Sequence, residues 1–349
     1  MKRRLMSVLL VIMLCAGMIS PSLAAYTGYS DVPENHWSAA SIRRATELGI
    51  FQGVAENVFG RGQAISRAAF VTALVRLFGW ESINPGKATF TDVAAGKWYY
   101  SAVETAVANG AVAAAGKTFR PTEYLTRGEM AAMLMRALGY TSLAGMVSGF
   151  DCPFTDVTTN RGFITMAYDM GIVTGVAEGK FDPDTFATRE QAATILVRVY
   201  DKLAAKNYEV LSAVGEELRV DTPAPMEGDE LPTTPLEPIS DLYTALRKMK
   251  ESGKDMRHVT LCLTEGGVRT TSSPQGAIIS SDTVSASEMN WVLQRSDVRI
   301  YYSERYESAY CVYTPNSYQT VTIWFQNNES LAVKLQLARL FGVTNYMFI

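Results

Sequence analysis

The stretch Tyr29-Ser30-Asp31-Val32 recurs as Phe90-Thr91-Asp92-Val93 and again as Phe154-Thr155-Asp156-Val157. Each occurrence is followed by further landmarks that repeat with a period of roughly 60 residues. These are a glycine (Gly49, Gly110, Gly171), a phenylalanine (Phe59, Phe119, Phe181) and, eight residues after it, an arginine (Arg67, Arg127, Arg189). Because a fixed period is the signature of tandem structural repeats, we expect three copies of one unit over residues 27–203.

Each copy has the pattern of a helix, a loop and a second helix. In the first copy, apolar residues recur at helical spacing over residues 39–48 and stop before Gly49, a common C-terminal cap. The second helix is predicted over residues 66–78. Because one copy alone could not bury the apolar faces of both helices, we expect the three copies to share one core as an all-α, pseudo-threefold bundle.

Capping boxes mark the start of two of the second helices. Thr126 is followed by Glu129, and Thr188 by Gln191, at the spacing that lets side chains and backbone N–H groups bond reciprocally. The first copy has Ala69 at the corresponding position and cannot complete the box. The repeat arginine therefore falls at the first helical position, where the positive end of the helix dipole disfavours a cation.

Three cations at such positions indicate an anion held by guanidinium and helix N–H groups together. An internal ion pair with the aspartate of a repeat (Asp31, Asp92 or Asp156) would explain the arginines without a ligand, and the two explanations are compatible. Trp37 and Trp98 lie six residues after the aspartates of their copies, where each could stack on a sugar or pack in the core. The third copy is three residues shorter in this region and has no tryptophan there.

These motifs make residues 27–203 similar to three tandem S-layer homology domains. The family signature joins an aromatic-x-Asp-Val opening, a Trp, a Gly, a Phe and a Thr-Arg-Ala-Glu-type element. The resemblance implies a cell-wall anchor that binds secondary cell-wall polysaccharide, typically pyruvylated, in grooves between copies. In such grooves the arginines would bind the pyruvyl carboxylate, and the aspartates would orient them or accept sugar hydroxyls. The implied ligand-binding residues are Asp31, Trp37, Arg67, Asp92, Trp98, Arg127, Asp156 and Arg189.

Residues 1–25 have the pattern of a secretory signal peptide, with a basic start at Lys2-Arg3-Arg4, an apolar run and small residues near its end. The run is short for a membrane span, which needs about 20 residues. Its removal would change the formal net charge from −3 to −3 − 3 = −6. A chain of this charge has no overall polyanion-binding surface, which argues against a nucleic-acid partner. We expect a secreted protein at the cell wall or in an S-layer, with no membrane span after cleavage.

Neither metal nor disulfide chemistry is indicated, and no cofactor is expected. The two histidines, His36 and His258, lie far apart in the sequence, which disfavours a histidine-rich metal site. Four cysteines are too few for a disulfide scaffold. Cys262 and Cys311 fall in predicted strands, where they either pair or are buried as small apolar side chains.

A linker and a second domain follow the repeats. The predicted boundaries are 1–25 for the signal peptide, 27–85, 88–147 and 152–205 for the repeats, 206–238 for an acidic, Pro-rich linker and 239–349 for an α/β domain. Helices are expected at 239–251 and 331–340, and strands at 259–264, 301–304, 310–313, 320–325 and 344–349.

Residues 323–330, with Lys334 and Phe341-Gly342, resemble the end of a glycoside hydrolase family 18 barrel of the branch found in spore and cell-wall hydrolases. A whole barrel needs about 250 residues, so only its last strands could be present, giving a partial TIM-barrel-like domain. The family's Asp-x-x-Asp-x-Asp-x-Glu catalytic strand does not occur in the sequence. Without that acid, no group is marked to protonate a glycosidic oxygen, and no catalytic residue is predicted.

Three functions remain open from the sequence. The first is a non-catalytic wall-anchored protein whose tail binds a glycan or a partner. The second is a wall-anchored, family 18-like glycosidase acting on peptidoglycan or a chitin-like glycan, and the third is a structural S-layer subunit that self-associates. The missing catalytic strand favours the first. A run of tyrosines in the tail would either line a sugar groove or pack in a sheet: Tyr301, Tyr302, Tyr306, Tyr310, Tyr313 and Tyr318.

Overall fold

The structure is a computed structural model that describes residues 28–204, 216–220, 231, 233 and 235–349. The predicted signal peptide and most of the predicted linker lie outside these residues. The chain divides into two compact units, Met1–Ala204 and Ala205–Ile349, called here the first and second unit. Within the described ranges, no helix combines the length and the apolar composition needed to cross a bilayer.

The first unit is helical. Its helices are α1 (Ala39–Glu47), α2 (Arg67–Phe78), α3 (Tyr100–Ala108), α4 (Arg127–Ala137), α5 (Thr141–Val147), α6 (Arg161–Asp169) and α7 (Arg189–Ala204). Each copy contributes two helices joined by a loop, as the sequence predicts, and the repeat arginine begins the second helix in all three. The short α5, at the end of the predicted second copy, is an additional helix that the sequence does not predict.

The helices of the three copies pack on one another in a closed order. The first helix of each copy packs on the second helix of another copy, so that α1 contacts α7, α3 contacts α2 and α6 contacts α4. Each of these helices places at least one fully buried aliphatic side chain in the interior, among them Ile42, Leu74, Val103, Leu134, Ile164 and Leu196. Since α1 belongs to the first copy and α7 to the last, the packing order closes on itself.

Three backbone hydrogen bonds close the same order at the starts of the second helices. The N–H of Leu125 donates to the carbonyl of Ile65, that of Ala187 to Leu125, and that of Ile65 to Ala187, each at 2.9 Å. All three residues are buried, so these bonds satisfy backbone groups that water cannot reach. The segment just before each second helix is thereby held rigidly against the other two copies.

The helix caps follow the sequence closely. Thr126 and Glu129 form the predicted capping box. Thr188 and Gln191 also exchange two hydrogen bonds, of 3.1 and 3.4 Å. Ser66 accepts the N–H of Ala69 at 3.2 Å, but the alanine has no side chain to return the bond. The incomplete capping box predicted for the first copy is therefore confirmed.

Helix α5 packs directly against α6 through a glycine. A β-carbon on Gly162 would clash with the Ala144 carbonyl oxygen, and it would lie 2.8 Å from the carbonyl carbon and 3.1 Å from the Ser148 nitrogen. Only glycine allows the two helix backbones to approach this closely. This contact fixes where the third copy begins.

The second unit contains two sheets. Its helices are α8 (Ile239–Glu251), α9 (Ala286–Leu293) and α10 (Asn328–Phe341), and its strands are β1 (Glu216–Leu218), β2 (Val259–Leu263), β3 (Gly267–Ser272), β4 (Ile278–Val284), β5 (Arg299–Ser303), β6 (Ser308–Asn316), β7 (Gln319–Phe325) and β8 (Asn345–Phe348). One sheet is parallel, in the order β1-β2-β8, and the other is antiparallel, in the order β4-β3-β7-β6-β5. The mixed α/β character expected of this region is confirmed.

Parts of the expected linker, residues 206–238, pair with the rest of the second unit. Strand β1 lies within it and pairs with β2 in parallel. Thr233 accepts the indole N–H of the buried Trp324 at its carbonyl (3.2 Å) and hydroxyl (3.0 Å), and the Leu236 carbonyl accepts Lys334 Nζ at 2.6 Å. The sequence does not indicate these contacts. The segment is acidic and Pro-rich, and a strand of three residues is too short to show an alternating pattern. Strands β3 and β4 and helix α9 are also missed, since the strands are rich in Ser and Thr and the helix has only eight residues.

The antiparallel sheet has a core on one of its faces. Met289 and Val292 of α9 pack there with a cluster from β6 and β7 that includes Cys311 and Ile323. Cys311 and Cys262 are both buried and both free thiols, so the interpretation of burial rather than pairing is confirmed. Burial raises the pKa of the Cys311 thiol to about 11.

Candidate functional site

The aspartate of each repeat fastens the loop that ends at the repeat phenylalanine. Asp31 accepts the N–H of Phe59 at Oδ1 and the N–H groups of Gly60 and Arg61 at Oδ2, each at 2.8 Å. Partial burial opposes ionisation of Asp31, but these N–H groups outweigh it and lower the pKa of the carboxyl group. The equivalent bonds, of 2.7 to 3.0 Å, join Asp92 to Phe119 and Arg120, and Asp156 to Phe181 and Asp182.

The carbonyl of the same phenylalanine binds the arginine of another copy. Arg67 Nε donates to the Phe119 carbonyl at 2.9 Å, Arg127 Nε to Phe181 at 3.0 Å, and Arg189 Nε to Phe59 at 3.0 Å. Each guanidinium also lies over the ring of that phenylalanine, 4.7 to 5.3 Å from its centroid. The ion pairs with the repeat aspartates considered from the sequence are not how these arginines are held, since the aspartate oxygens bind backbone N–H groups instead.

Burial gives these arginines a poorly solvated charge. Arg67 and Arg127 are only 9% and 7% exposed. Burial lowers the pKa of all three repeat guanidinium groups, Arg189 included, yet arginine stays cationic in proteins. A desolvated cation attracts an anion more strongly than one in water.

One arginine and one tryptophan meet in a cavity of about 150 Å³. Trp37 comes from the first copy and Arg127 from the second, while the third copy supplies a loop and one face of α7. The lining residues are Trp37, Arg127, Met130, Val173, Thr174, Gly175, Val176, Phe181, Gln191, Thr194, Ile195 and Arg198. We call this cavity the Trp37 groove. Trp37 is 60% exposed, so its ring is open to a ligand rather than buried in the core.

Backbone carbonyls hold both cations of the Trp37 groove in place. Arg127 Nη2 donates to the Thr174 carbonyl at 3.2 Å, and Arg198 Nη1 donates to the Ile172 carbonyl at 3.1 Å. These carbonyls are neutral, so both positive charges remain uncompensated by them. Arg198 is missed in the sequence prediction, although the repeats contain the signal: Arg76 and Arg136 also lie nine residues after the arginine of their copies.

A glycine shapes the loop of this groove. A β-carbon on Gly175 would lie 2.6 Å from the Lys180 carbonyl oxygen and 2.8 Å from the Phe154 ring. The loop folds back tightly there, and the Val176 N–H donates to the Lys180 carbonyl at 2.9 Å. Gly53 is equally confined in the first copy, whereas the second copy has Ala114 at this position and a loop one residue shorter.

The arginine of the first copy differs from the other two. Arg67 Nη1 forms an ion pair with Glu129 Oε1 at 2.7 Å, and Arg120 lies 3.6 Å from the same carboxylate. Glu129 corresponds to Gln191 and Ala69 in the other copies, which carry no charge. Arg189, like Arg127, donates to a carbonyl, that of Gln52 at 2.9 Å.

The two predicted tryptophans are both exposed. Trp98 is 67% exposed and contacts the ring of Tyr99, with 5.3 Å between centroids. The structure therefore brings Trp37, Arg127 and the loop fastened by Asp156 into one cavity. It does not join the eight predicted residues into a single site.

Comparison with known families agrees with the repeat geometry. The family model described as the S-layer homology domain matches residues 28–71, 89–131 and 153–193. Each match begins near the repeat aspartate and ends within the second helix that the repeat arginine starts.

Curated relatives match part of the chain. The chain is 26% identical over 202 residues to an S-layer protein of Bacillus thuringiensis subsp. finitimus, covering 57% of this chain and 24% of that protein. It is 32% identical over 137 residues to a cellulosome-anchoring protein of Acetivibrio thermocellus, covering 38% and 30%. The chain thus spans less than a third of the length of these relatives. The similarities support a secreted protein located at the cell surface or in the cell wall.

Solved structures similar to this chain include bacterial glycan hydrolases. The C-terminal domain of a putative chitinase from Desulfitobacterium hafniense DCB-2 is 15% identical, covers 45% of each chain and has a TM-score of 0.30. The Bacillus megaterium QM B1551 spore cortex-lytic enzyme SleL is 14% identical, covers 45% of this chain and 41% of that one, and also has a TM-score of 0.30. Scores this low carry no argument about activity.

Proposed function

Because the chain carries three S-layer homology domains, we propose that its first unit anchors the protein to the cell wall by binding an anionic secondary cell-wall polysaccharide. A pyruvylated polymer is the typical ligand of this kind. The observation that supports the proposal is the Trp37 groove, where an exposed indole shares a cavity with two guanidinium groups, Arg127 and Arg198, and no carboxylate is among the lining residues. Asp182 and Asp156 favour the charged form of Arg127 from outside the lining.

The chemistry of the groove suits a sugar that bears a carboxylate. The planar guanidinium of Arg127 is held by two carbonyls, so its remaining N–H groups are preoriented toward the cavity. An exposed tryptophan offers an apolar face to a pyranose ring. We assign the repeat aspartates to loop geometry rather than to sugar hydroxyls, because backbone N–H groups already occupy both oxygens of each carboxylate.

The three copies form a pseudo-threefold bundle in this proposal, but their arginines do not contribute equally. Arg127 has Trp37 beside it, and Arg189 has Trp98 available from the second copy. Arg67 has neither a tryptophan beside it nor an unpaired charge, because the third copy has no tryptophan at the corresponding position and Glu129 neutralises the guanidinium. We therefore expect two functional grooves rather than three.

The second unit is proposed to be a non-catalytic remnant of a family 18-like barrel. Its parallel sheet has helices α8 and α10 in the connections leading to β2 and β8, as expected for the last strands of a β/α barrel. Glu237, the buried carboxylate near these strands, is fully engaged: it accepts Thr264 N–H and Oγ1–H and the Gln326 amide. A carboxylate so enclosed has no access to a glycosidic oxygen, which favours a binding or spacer role over hydrolysis.

The experiment that tests the anchor is a binding assay of the protein on purified cell-wall sacculi, before and after acid removal of the wall polysaccharide. The decisive variant is Trp37→Ala, because an exposed side chain can be removed without opening the core. Its matched control is Trp291→Ala, which removes an equally exposed indole (61%) from the second unit. We expect binding to require the polysaccharide, to fall at least tenfold in Trp37→Ala and to be unchanged in Trp291→Ala.

A charge series separates the role of the guanidinium from general electrostatics. Arg127→Lys keeps the charge but loses the planar fork, and Arg43→Ala removes a charge from an exposed surface of α1. Binding should fall in the first variant and persist in the second. Equal binding by wild type, Trp37→Ala and Arg127→Lys to acid-stripped sacculi would refute the proposal.

A further inference from the structure

Two aromatic side chains stand exposed where the turns of the three copies meet. Tyr124 and Phe186 are each 53% exposed, and their rings contact each other edge to face with centroids 5.5 Å apart. They occupy equivalent positions, two residues before Thr126 and Thr188, which cap the second helices. The first copy has Ala64 at this position.

The backbone under this aromatic pair is rigid. Tyr124 bridges to Ser66 of the first copy, and Phe186 bridges to Thr126 of the second. The residues that follow them, Leu125 and Ala187, are buried and belong to the closed set of 2.9 Å backbone bonds. Two large apolar rings are therefore presented at fixed positions, so little backbone entropy is lost when a ligand binds them.

The exposed area of the Tyr124–Phe186 pair favours a small ligand over a protein partner. An aromatic side chain offers about 150–250 Å² in total, so two half-exposed rings present roughly 200 Å². A stable protein interface needs about 800 Å² from each partner. A second copy of this chain would gain too little from this surface, whereas one or two sugar rings match it.

The surroundings also match a sugar. The residues directly before Ala64, Tyr124 and Phe186 are Gln63, Glu123 and Thr185, all polar and exposed. The small Ala64 leaves space beside the two rings at the third position. Glu123, the charged residue among these, is paired with Arg120 Nη1 at 3.1 Å, so the surface carries no unpaired cation there and favours an uncharged pyranose over a carboxylated one.

From these observations we infer that the Tyr124–Phe186 pair is a second carbohydrate contact, which stacks an uncharged hexose or N-acetylhexosamine ring of the wall glycan. This site is distinct from the Trp37 groove and uses no arginine. The inference depends on the cell-surface location of the protein, where such glycans are the surrounding material. It does not depend on the anion-binding proposal.

The test is saturation-transfer difference NMR on the full chain, with tetra-N-acetylchitotetraose as the probe. We expect transfer to the sugar ring protons in the wild type and in Trp37→Ala. The double variant Tyr124→Ala/Phe186→Ala should bind the probe roughly 2- to 10-fold more weakly, the range expected for one aromatic contact. The exchange Tyr124→Phe/Phe186→Tyr keeps both stacking faces and should bind as the wild type does.

Two results would overturn the inference. One is unchanged binding in the double alanine variant, and the other is no transfer to the wild type at millimolar probe. A thermal unfolding midpoint within error of the wild type confirms that the double variant is folded. If it is not, the single variants Tyr124→Ala and Phe186→Ala, each of which should bind the probe more weakly than the wild type, provide the readout. Loss of transfer in Trp37→Ala alone would place the probe in the groove and refute a separate site.

Discussion

The substitution Gly162→Ala tests how α5 packs on α6, because helix propensity and the observed contact predict opposite changes in stability. Helix propensity favours alanine over glycine by about 1 kcal/mol, so Gly162→Ala in α6 would be stabilising if the helix were free. In the structure, however, the new β-carbon would clash with the Ala144 carbonyl oxygen and lie 2.8 Å from the carbonyl carbon, where carbon atoms normally rest at about 3.5–4.0 Å. The carbon contact alone requires the two helices to separate by roughly 1 Å, and the closer oxygen requires more.

The expected net effect is a loss of about 2 kcal/mol, because overpacking of this kind costs about 1–3 kcal/mol. For a unit of this size, that loss lowers the thermal midpoint by roughly 4–8 °C. The matched control is Gly145→Ala in the neighbouring helix α5, where a β-carbon meets nothing within 4 Å. That variant should raise the midpoint by about 1–4 °C.

The assay is thermal unfolding of the full chain followed by far-ultraviolet circular dichroism, to which the helices of the first unit contribute most. Opposite shifts in the two variants are the expected result. If both glycine-to-alanine changes stabilise the protein, then α5 does not pack on α6 as described. The contact at Gly162 would then not be what fixes the start of the third copy.

Further predictions concern the caps and the thiols. Glu129→Ala should lower the unfolding free energy by about 2–3 kcal/mol, since it removes both a capping box and the Arg67 ion pair. Its control, Gln191→Ala, loses only a cap worth about 1 kcal/mol. Equal losses of the two variants in urea titrations would contradict this prediction. Alkylation of the folded chain followed by mass analysis should modify Cys152 and leave Cys311 intact until denaturant is added. Because the Cys311 pKa is raised from 9.0 to about 11, the folded state holds its proton more tightly, and that stabilisation is complete below pH 9 and lost as pH rises to 11. The stability difference between wild type and Cys311→Ala should therefore shrink by about 2–3 kcal/mol across that range, and a constant difference would show that the thiol is not buried.

The repeat architecture was predictable because its signals are local and occur three times. Helix starts follow from side chains that bond to their own backbone, such as Thr126, and helix ends follow from glycines such as Gly49. The partners of the repeat arginines were not predictable in the same way. The carbonyl that Arg189 binds belongs to Phe59, 130 positions earlier, and carbonyls carry no signature in the sequence.

The candidate groove was predictable only in part. Trp37 and Arg127 could be named from the repeat pattern, but the residues that complete the cavity, including Arg198 and Thr174, depend on how copies pack. The roles given to the aspartates also required coordinates, because an aspartate that fastens a loop and one that meets a sugar look alike in sequence. In the second unit, β1 was missed because a strand of three residues is too short to show an alternating pattern.

The closed packing order of the helices limits how the number of copies can change. The Trp37 groove takes its tryptophan from the first copy, its arginine from the second and its wall from the third. If the Trp37 groove is the attachment site, as proposed, deleting any one copy removes one of its three components, and we expect attachment to be lost altogether rather than reduced by a third. Duplication of one copy would likewise interrupt the closure between α1 and α7.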